Sequence, residues 1–316
     1  RALLPKGVEG LMVVGIGISA HRDAMPIMRM QPDVQNMGYV AGLAGATAAR
    51  EGKTFRTIDV KQLQQRLVEI GNLPPEVLGW KDNAIVDAEH LAVAVKELGT
   101  GYKGVSLVLA QWKQALPLVR QAYASEQAPS KRLVYAHVLG IMGDPAGAET
   151  LAAVVSGRQP GLGLSVGGES AFGRRMSETD SYIVALGRTK DKRALEPLLD
   201  EVAKLDEKSP FSRFRAVTLA LEALGDPAAA RPLAALLAKP GVSGHAMTDA
   251  KAITPAGGFG AGSGNERNLS LRELAVARAL YRCGDCEDAA ARVLRTYTRD
   301  LRGVYALHAA EVLKKD

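Results

Sequence analysis

The residues of this chain whose types and spacing could do chemistry are two cysteines, five histidines and a glycine turn near the start. Cys283 and Cys286 are spaced C-x-x-C, the separation of a redox pair or of half a zinc site. No second cysteine pair or histidine pair completes a metal set, and no metal is expected. The two thiols fall in Leu280–Tyr281–Arg282–Cys283–Gly284–Asp285–Cys286, where one helix of a hairpin ends and the next begins. A structural role is the first reading there, with redox or metal chemistry as the other. His21, His90, His137, His245 and His308 are scattered without metal-ligand spacing and read as surface or satisfied core residues. His21 stands apart because the glycine-turn segment carries it. Gly99–Thr100–Gly101–Tyr102–Lys103–Gly104 is loop-like but lacks the Walker spacing.

Gly15-x-Gly17-x-x-Ala20 formally matches a dinucleotide fingerprint. A working fingerprint needs a helix straight after the glycines and then a second strand ending in an acid. Pro26 interrupts the first candidate helix, and Met37 to Ala46 is helical in character where the second strand should be, so the fingerprint is rejected. The elements around the turn carry more information. Leu11–Met12–Val13–Val14 is a short apolar run closed by Gly15, the pattern of a strand buried on both faces. A helix follows from Pro32 to Arg50, with Pro32 suited to its first position and Asp33 to its first turn. Gly38, Gly42, Gly45 and Ala49 share one face of it. Interior helix glycines cost about 1 kcal/mol each relative to alanine. Either tight helix packing or close approach to a sheet or ligand offsets that cost. The helix N-terminus offers unpaired N–H groups to an electron-rich carbonyl or phosphate.

The stretch Leu4–Pro5–Lys6–Gly7–Val8–Glu9–Gly10–Leu11–Met12–Val13–Val14–Gly15, then Ser19–Ala20, Arg22, Ala24, Arg29, Pro32, Gly38, Ala41–Gly42 and Ala48–Ala49, resembles the C-terminal end of the bacterial FAD-dependent oxidoreductase family. The resemblance implies a strand, loop and helix that close over the flavin, with the helix N-terminus aimed at the pyrimidine edge of the isoalloxazine ring. It makes Gly15, Ser19, Arg29, Pro32 and Gly38 flavin-side positions and FAD the cofactor. It names no catalytic residue. The chain departs from the family at Ile16, where an arginine is usual. The resemblance covers about a quarter of the chain and does not include the family's N-terminal FAD-phosphate domain. Because the sequence starts at Arg1 and reads as strand soon after, the start is taken as a truncation or processing point. The remaining FAD-binding portion of the same protein is then an expected partner.

Beyond the double proline Pro74–Pro75 the pattern changes to apolar helix, turn, apolar helix. Leu133 to Met142 leads through Gly143–Asp144–Pro145 to Leu151–Val155. Tyr182 to Leu186 leads through Gly187 to Ala194–Leu205. Val217 to Leu224 leads through Gly225–Asp226–Pro227 to Ala230–Leu237. Leu274 to Tyr281 leads through Gly284–Asp285 to Ala289–Leu294, and a last helix spans Val304 to Leu313. The turns fall about 40 residues apart except for one long gap, which is the spacing of HEAT-type repeats. Glycine ends one helix in the left-handed conformation and aspartate caps the next. Two long interruptions, Ser156–Ser177 with Arg174–Arg175 and Lys239–Asn268 with Gly257–Gly264, read as linkers or as functional loops.

The expected fold is mainly α: residues 1–80 form a C-terminal strand and helix fragment of an α/β FAD-binding domain, and residues 81–316 a HEAT-like α-solenoid. The expected function is flavin-mediated hydride or electron transfer on a small-molecule substrate, the chain alone being inactive. The alternative is a non-catalytic HEAT-repeat module binding protein or nucleic acid. The net charge of +6 comes from 40 basic against 34 acidic residues interspersed along the chain, which argues for a solvated surface over a nucleic-acid site. No apolar run reaches the roughly 18 residues of a membrane span, so a soluble protein of the bacterial cytoplasm or periplasm is expected.

Overall fold

A computed structural model describes residues 2–20, 24–80, 87–162, 176–250 and 263–314, with only the backbone of Ile27 and of residues 263–266. The chain divides into two compact units, Arg1–Ile85 and Val86–Asp316. The described residues are mainly helical and include no strand. None of their helices is long and apolar enough to cross a membrane.

The first unit is built on α1 (Met25–Met28), α2 (Gln31–Glu51) and α3 (Val60–Glu69). Pro32 enters the first turn of α2, and Gly52 ends it in the left-handed conformation at φ 61°. Asp59 caps α3, its carboxylate accepting from the Lys61 and Gln62 N–H groups at 2.9 and 3.1 Å. The core is small. Ala44, Ala48 and Ile58 are buried, with Met12, Phe55 and Leu63 packed on them.

The buried strand expected over Leu11–Val14 is not found. The segment is irregular, with Leu11 49% and Val14 39% exposed. A strand exists only by pairing, and the described residues of this unit supply no partner. The one backbone bond from the run, Val13 N–H to the Leu3 carbonyl at 2.8 Å, closes a local loop. Arg56 ties the loop down through Glu9 Oε1 and the Pro5 carbonyl.

The second unit continues with α4 (Ala88–Leu98), α5 (Val105–Ala110), α6 (Trp112–Ser125), α7 (Pro129–Met142), α8 (Ala148–Val155), α9 (Glu178–Arg188), α10 (Leu195–Lys204), α11 (Phe211–Leu224), α12 (Ala230–Leu237), α13 (Ser263–Arg282), α14 (Ala289–Tyr297) and α15 (Gly303–Leu313). Helices α7, α9, α11 and α13 pack in series, and α8, α10, α12 and α14 lie against them. Small residues permit the closest approaches. A Cβ on Gly140 would meet the Ala185 carbonyl at 2.9 Å, and one on Gly187 would overlap the Ala220 backbone.

The turns between paired helices follow one chemistry. Gly143, Lys190, Gly225 and Gly284 all adopt positive φ. Asp144, Asp191 and Asp226 each accept from the backbone N–H two residues on, at 3.0, 2.9 and 2.9 Å. Two expectations are corrected here. Gly187 is not the second turn but lies inside α9; Lys190 makes the turn, and Gly187 is needed for contact with Ala220. The second interruption also ends sooner, because α13 already begins at Ser263, drawing on helix-forming Glu266 and Arg267.

Candidate functional site

Of the sequence-derived positions, Pro32 and Gly38 lie in α2 and Arg29 just before it. Gly15 turns with φ +72°, and the position of a Cβ on it would be 3.7 Å from Val34 Cγ1 in the first turn of α2. Gly15–Gly17 forms a single 3-10 turn, and Ile18 anchors it at 5% exposure. No helix starts there, which removes the geometric basis of a dinucleotide fingerprint. Arg29 ends α1, its N–H donating to the Met25 carbonyl at 3.0 Å, two residues before α2 begins. Pro32 is exposed in the first turn of α2. Met30, the N-cap, gives that turn no side-chain acceptor. Gly15, Arg29 and Pro32 are therefore gathered at one helix end.

Ser19 and Gly38 are not drawn into that group by contact. Ser19 is exposed, with its N–H bonded to the Ala2 carbonyl at 3.0 Å. Gly38 is exposed further along α2, and nothing lies within 4 Å of where its Cβ would stand; the same holds for Gly42. The buried residues of α2 are Ala44 and Ala48. The small-residue face is thus open at Gly38 and Gly42 and covered at Gly45, whose Cβ position would be 3.9 Å from Phe55 Cε1; Ile16 is 73% exposed.

Residues 1–67 match the family model for FAD dependent oxidoreductase. The match supports FAD as the cofactor and an oxidoreductase function at the level of that family. No curated protein and no solved structure matches the chain.

The other candidate chemistry is dispersed. Cys283 is buried, its thiol pushed up to about 11 by burial and by the charge of Asp226, while Cys286 is partly exposed. A thiol held protonated in this way is a poor nucleophile. Among the described residues no group of histidine, cysteine and carboxylate side chains is arranged to hold a metal. His90 is exposed against Asp87, and His245 Nε2 faces the Gly241 carbonyl. His21, Arg174 and Arg175 lie outside the described residues.

One polar cluster was not read from the sequence. His137 is 8% exposed within α7. Its Nδ1 lies 2.7 Å from the Tyr102 hydroxyl, and Tyr182 packs edge-on at 4.9 Å. Tyr182 donates to Glu178 Oε1 at 2.6 Å, and that oxygen also accepts the Leu162 N–H at 2.8 Å. Burial pushes the His137 imidazole down to about 4, against a weaker opposing bond to the Ser181 backbone. These side chains come from the turn between α4 and α5 and from α7 and α9, and no local motif marks them. The left-handed Tyr102, at φ 64°, is the one backbone signal.

Proposed function

We propose that residues 1–80 are the flavin-closing portion of an FAD-dependent oxidoreductase, with Gly15, Ser19, Arg29, Pro32 and Gly38 on the flavin side. The observation that carries this reading is the open face of α2. Gly38 and Gly42 leave space beyond the helix backbone, and the helix N-terminus has no side-chain cap. These features fit a flat, electron-rich ring. The Gln31 and Asp33 N–H groups and the partial positive charge of the helix end would favour negative charge at the ring edge. Gly15 lets the preceding turn sit against Val34, and glycine at position 38 lets the ring approach the backbone.

FAD, when bound, supplies the hydride or electron chemistry; this chain orients it and tunes its electrostatics. The rest of the FAD site, including the phosphate cradle, is assigned to a further FAD-binding portion. Val8, Leu11, Ile16 and Met30 are exposed in the first unit and offer it an apolar surface. Residues 81–316 are read as a HEAT-like helical-repeat domain stacking hairpin on hairpin. The substrate is assigned to the small molecules.

Flavin content tests this reading. Protein purified from its source should be yellow and release FAD on denaturation in a near-stoichiometric amount. Colourless protein that takes up no FAD on reconstitution would overturn it. The chain of residues 1–316 alone should bind FAD only weakly in calorimetry.

A further inference from the structure

An open groove of about 730 Å³ runs between the first two turns of α2 and the end of α3. Its lining includes Asp33, Gln35, Asn36, Tyr39, Ile70 and Asn72. Positions 32, 36 and 39 fall on one face, roughly a third of a turn from Gly38 and Gly42. Pro32 and Asp33 also line the groove and are shared with the proposed flavin end of α2, so the case for a second ligand rests on the other lining residues.

Its chemistry is distinctive. Three carboxamides each offer both donors and an acceptor. Asn72 Nδ2 donates to Asn36 Oδ1 at 2.5 Å, so that the Asn36 amino group takes no part in that bond. Asn72 Oδ1 is buried with no partner. Tyr39 is 53% exposed and presents both a ring and a hydroxyl. No lysine or arginine lines the groove among the described residues, and the single carboxylate is Asp33.

We propose that this groove binds a neutral, hydroxyl-rich ligand, a short saccharide chain. Hydroxyl groups both donate and accept, as the three carboxamides do. The C–H face of a sugar ring suits the Tyr39 ring. An anionic ligand would meet Asp33 without a cationic partner. A metal would find one carboxylate. A peptide would find no strand edge and little apolar lining beyond Ile70 and Pro32. The volume falls in the range of small-molecule sites, about 300–1,000 Å³, and the open shape admits a chain of more than one ring.

Saturation-transfer NMR and calorimetry on the whole chain, with cellobiose, maltose and lactose as probes, test the proposal. At least one should bind saturably in the millimolar range. Tyr39→Ala and Asn36→Leu should each weaken it by about tenfold. Tyr39→Phe fills the same space, keeps the ring, and should retain most of the binding, so a failure of the alanine variant to fold leaves the test readable. No binding of any probe, or binding that none of these variants alters, would overturn the proposal. So would a preference for glucuronate, spermidine or triglycine sensitive to Tyr39→Ala.

Discussion

Gly187 of α9 lies directly against the backbone of Ala220 in α11, so closely that no Cβ fits between them. Gly38 of α2 is its opposite, a helix glycine with empty space where a side chain would be. The same residue type thus reports two different things: a helix packed on a helix, and a helix face left uncovered. Gly187→Ala should destabilise the second unit by about 1–3 kcal/mol or more through overpacking. Gly38→Ala, measured without flavin, should cost nothing and gain up to about 1 kcal/mol of helix propensity. Urea denaturation of the two variants checks the contrast.

Lys190 holds the left-handed turn position that Gly143, Gly225 and Gly284 hold in the other hairpins. A side chain there is strained. Lys190→Gly should raise stability by roughly 0.5–1 kcal/mol, the relief of strain exceeding the added chain entropy. A fall in thermal midpoint would show that the Lys190 side chain contributes more than its backbone costs.

Arg213 joins two buried carboxylates, donating to Asp180 and, at 2.6 Å, to Glu201. Their side chains are 1% and 5% exposed. Arg213→Met leaves the buried Asp180 without its arginine, Glu201 keeping only Lys204 at 2.7 Å, and should cost about 3–5 kcal/mol. Adding Asp180→Asn and Glu201→Gln should recover part of that loss. Equal stability of the single and triple variants would contradict the pairing.

His137 makes the second unit sensitive to acid. Its pKa is held at about 4 in the fold, against an ordinary 6.5, so between these values the unfolded chain binds the proton and the folded chain does not. The stability is complete above the ordinary value and declines as pH falls toward 4. The shift corresponds to about 3 kcal/mol at most. Asp191, held to about 2 by Arg193, loses its contribution only below its ordinary 3.8, outside that window. Denaturation at neutral pH and near pH 4.5 should show a larger drop for wild type than for His137→Gln. Equal drops would contradict the burial account.

Local signals were legible where physics is local. Pro32 at a helix start and the Gly–Asp turns at 143–144 and 225–226 each carry their own reason within a few residues, and all stand where expected. Leu11–Val14 misled because an apolar run specifies burial only in the presence of pairing partners. Gly187 misled because a glycine before a polar stretch reads as a turn when its partner, Ala220, is far away in sequence. The cluster of Tyr102, His137, Tyr182 and Glu178 and the groove at Asn36 and Asn72 were invisible for the same reason: tertiary packing alone brings them together.

The most direct measurement of the central claim is the flavin content of Gly38→Leu. In the flavin-loaded protein the leucine would occupy the open face of α2 and push the cofactor away. The account predicts that Gly38→Leu is purified without flavin absorbance while residues 86–316 unfold as in wild type. Flavin retained at wild-type stoichiometry would contradict it, showing that this face of α2 is not the cofactor side.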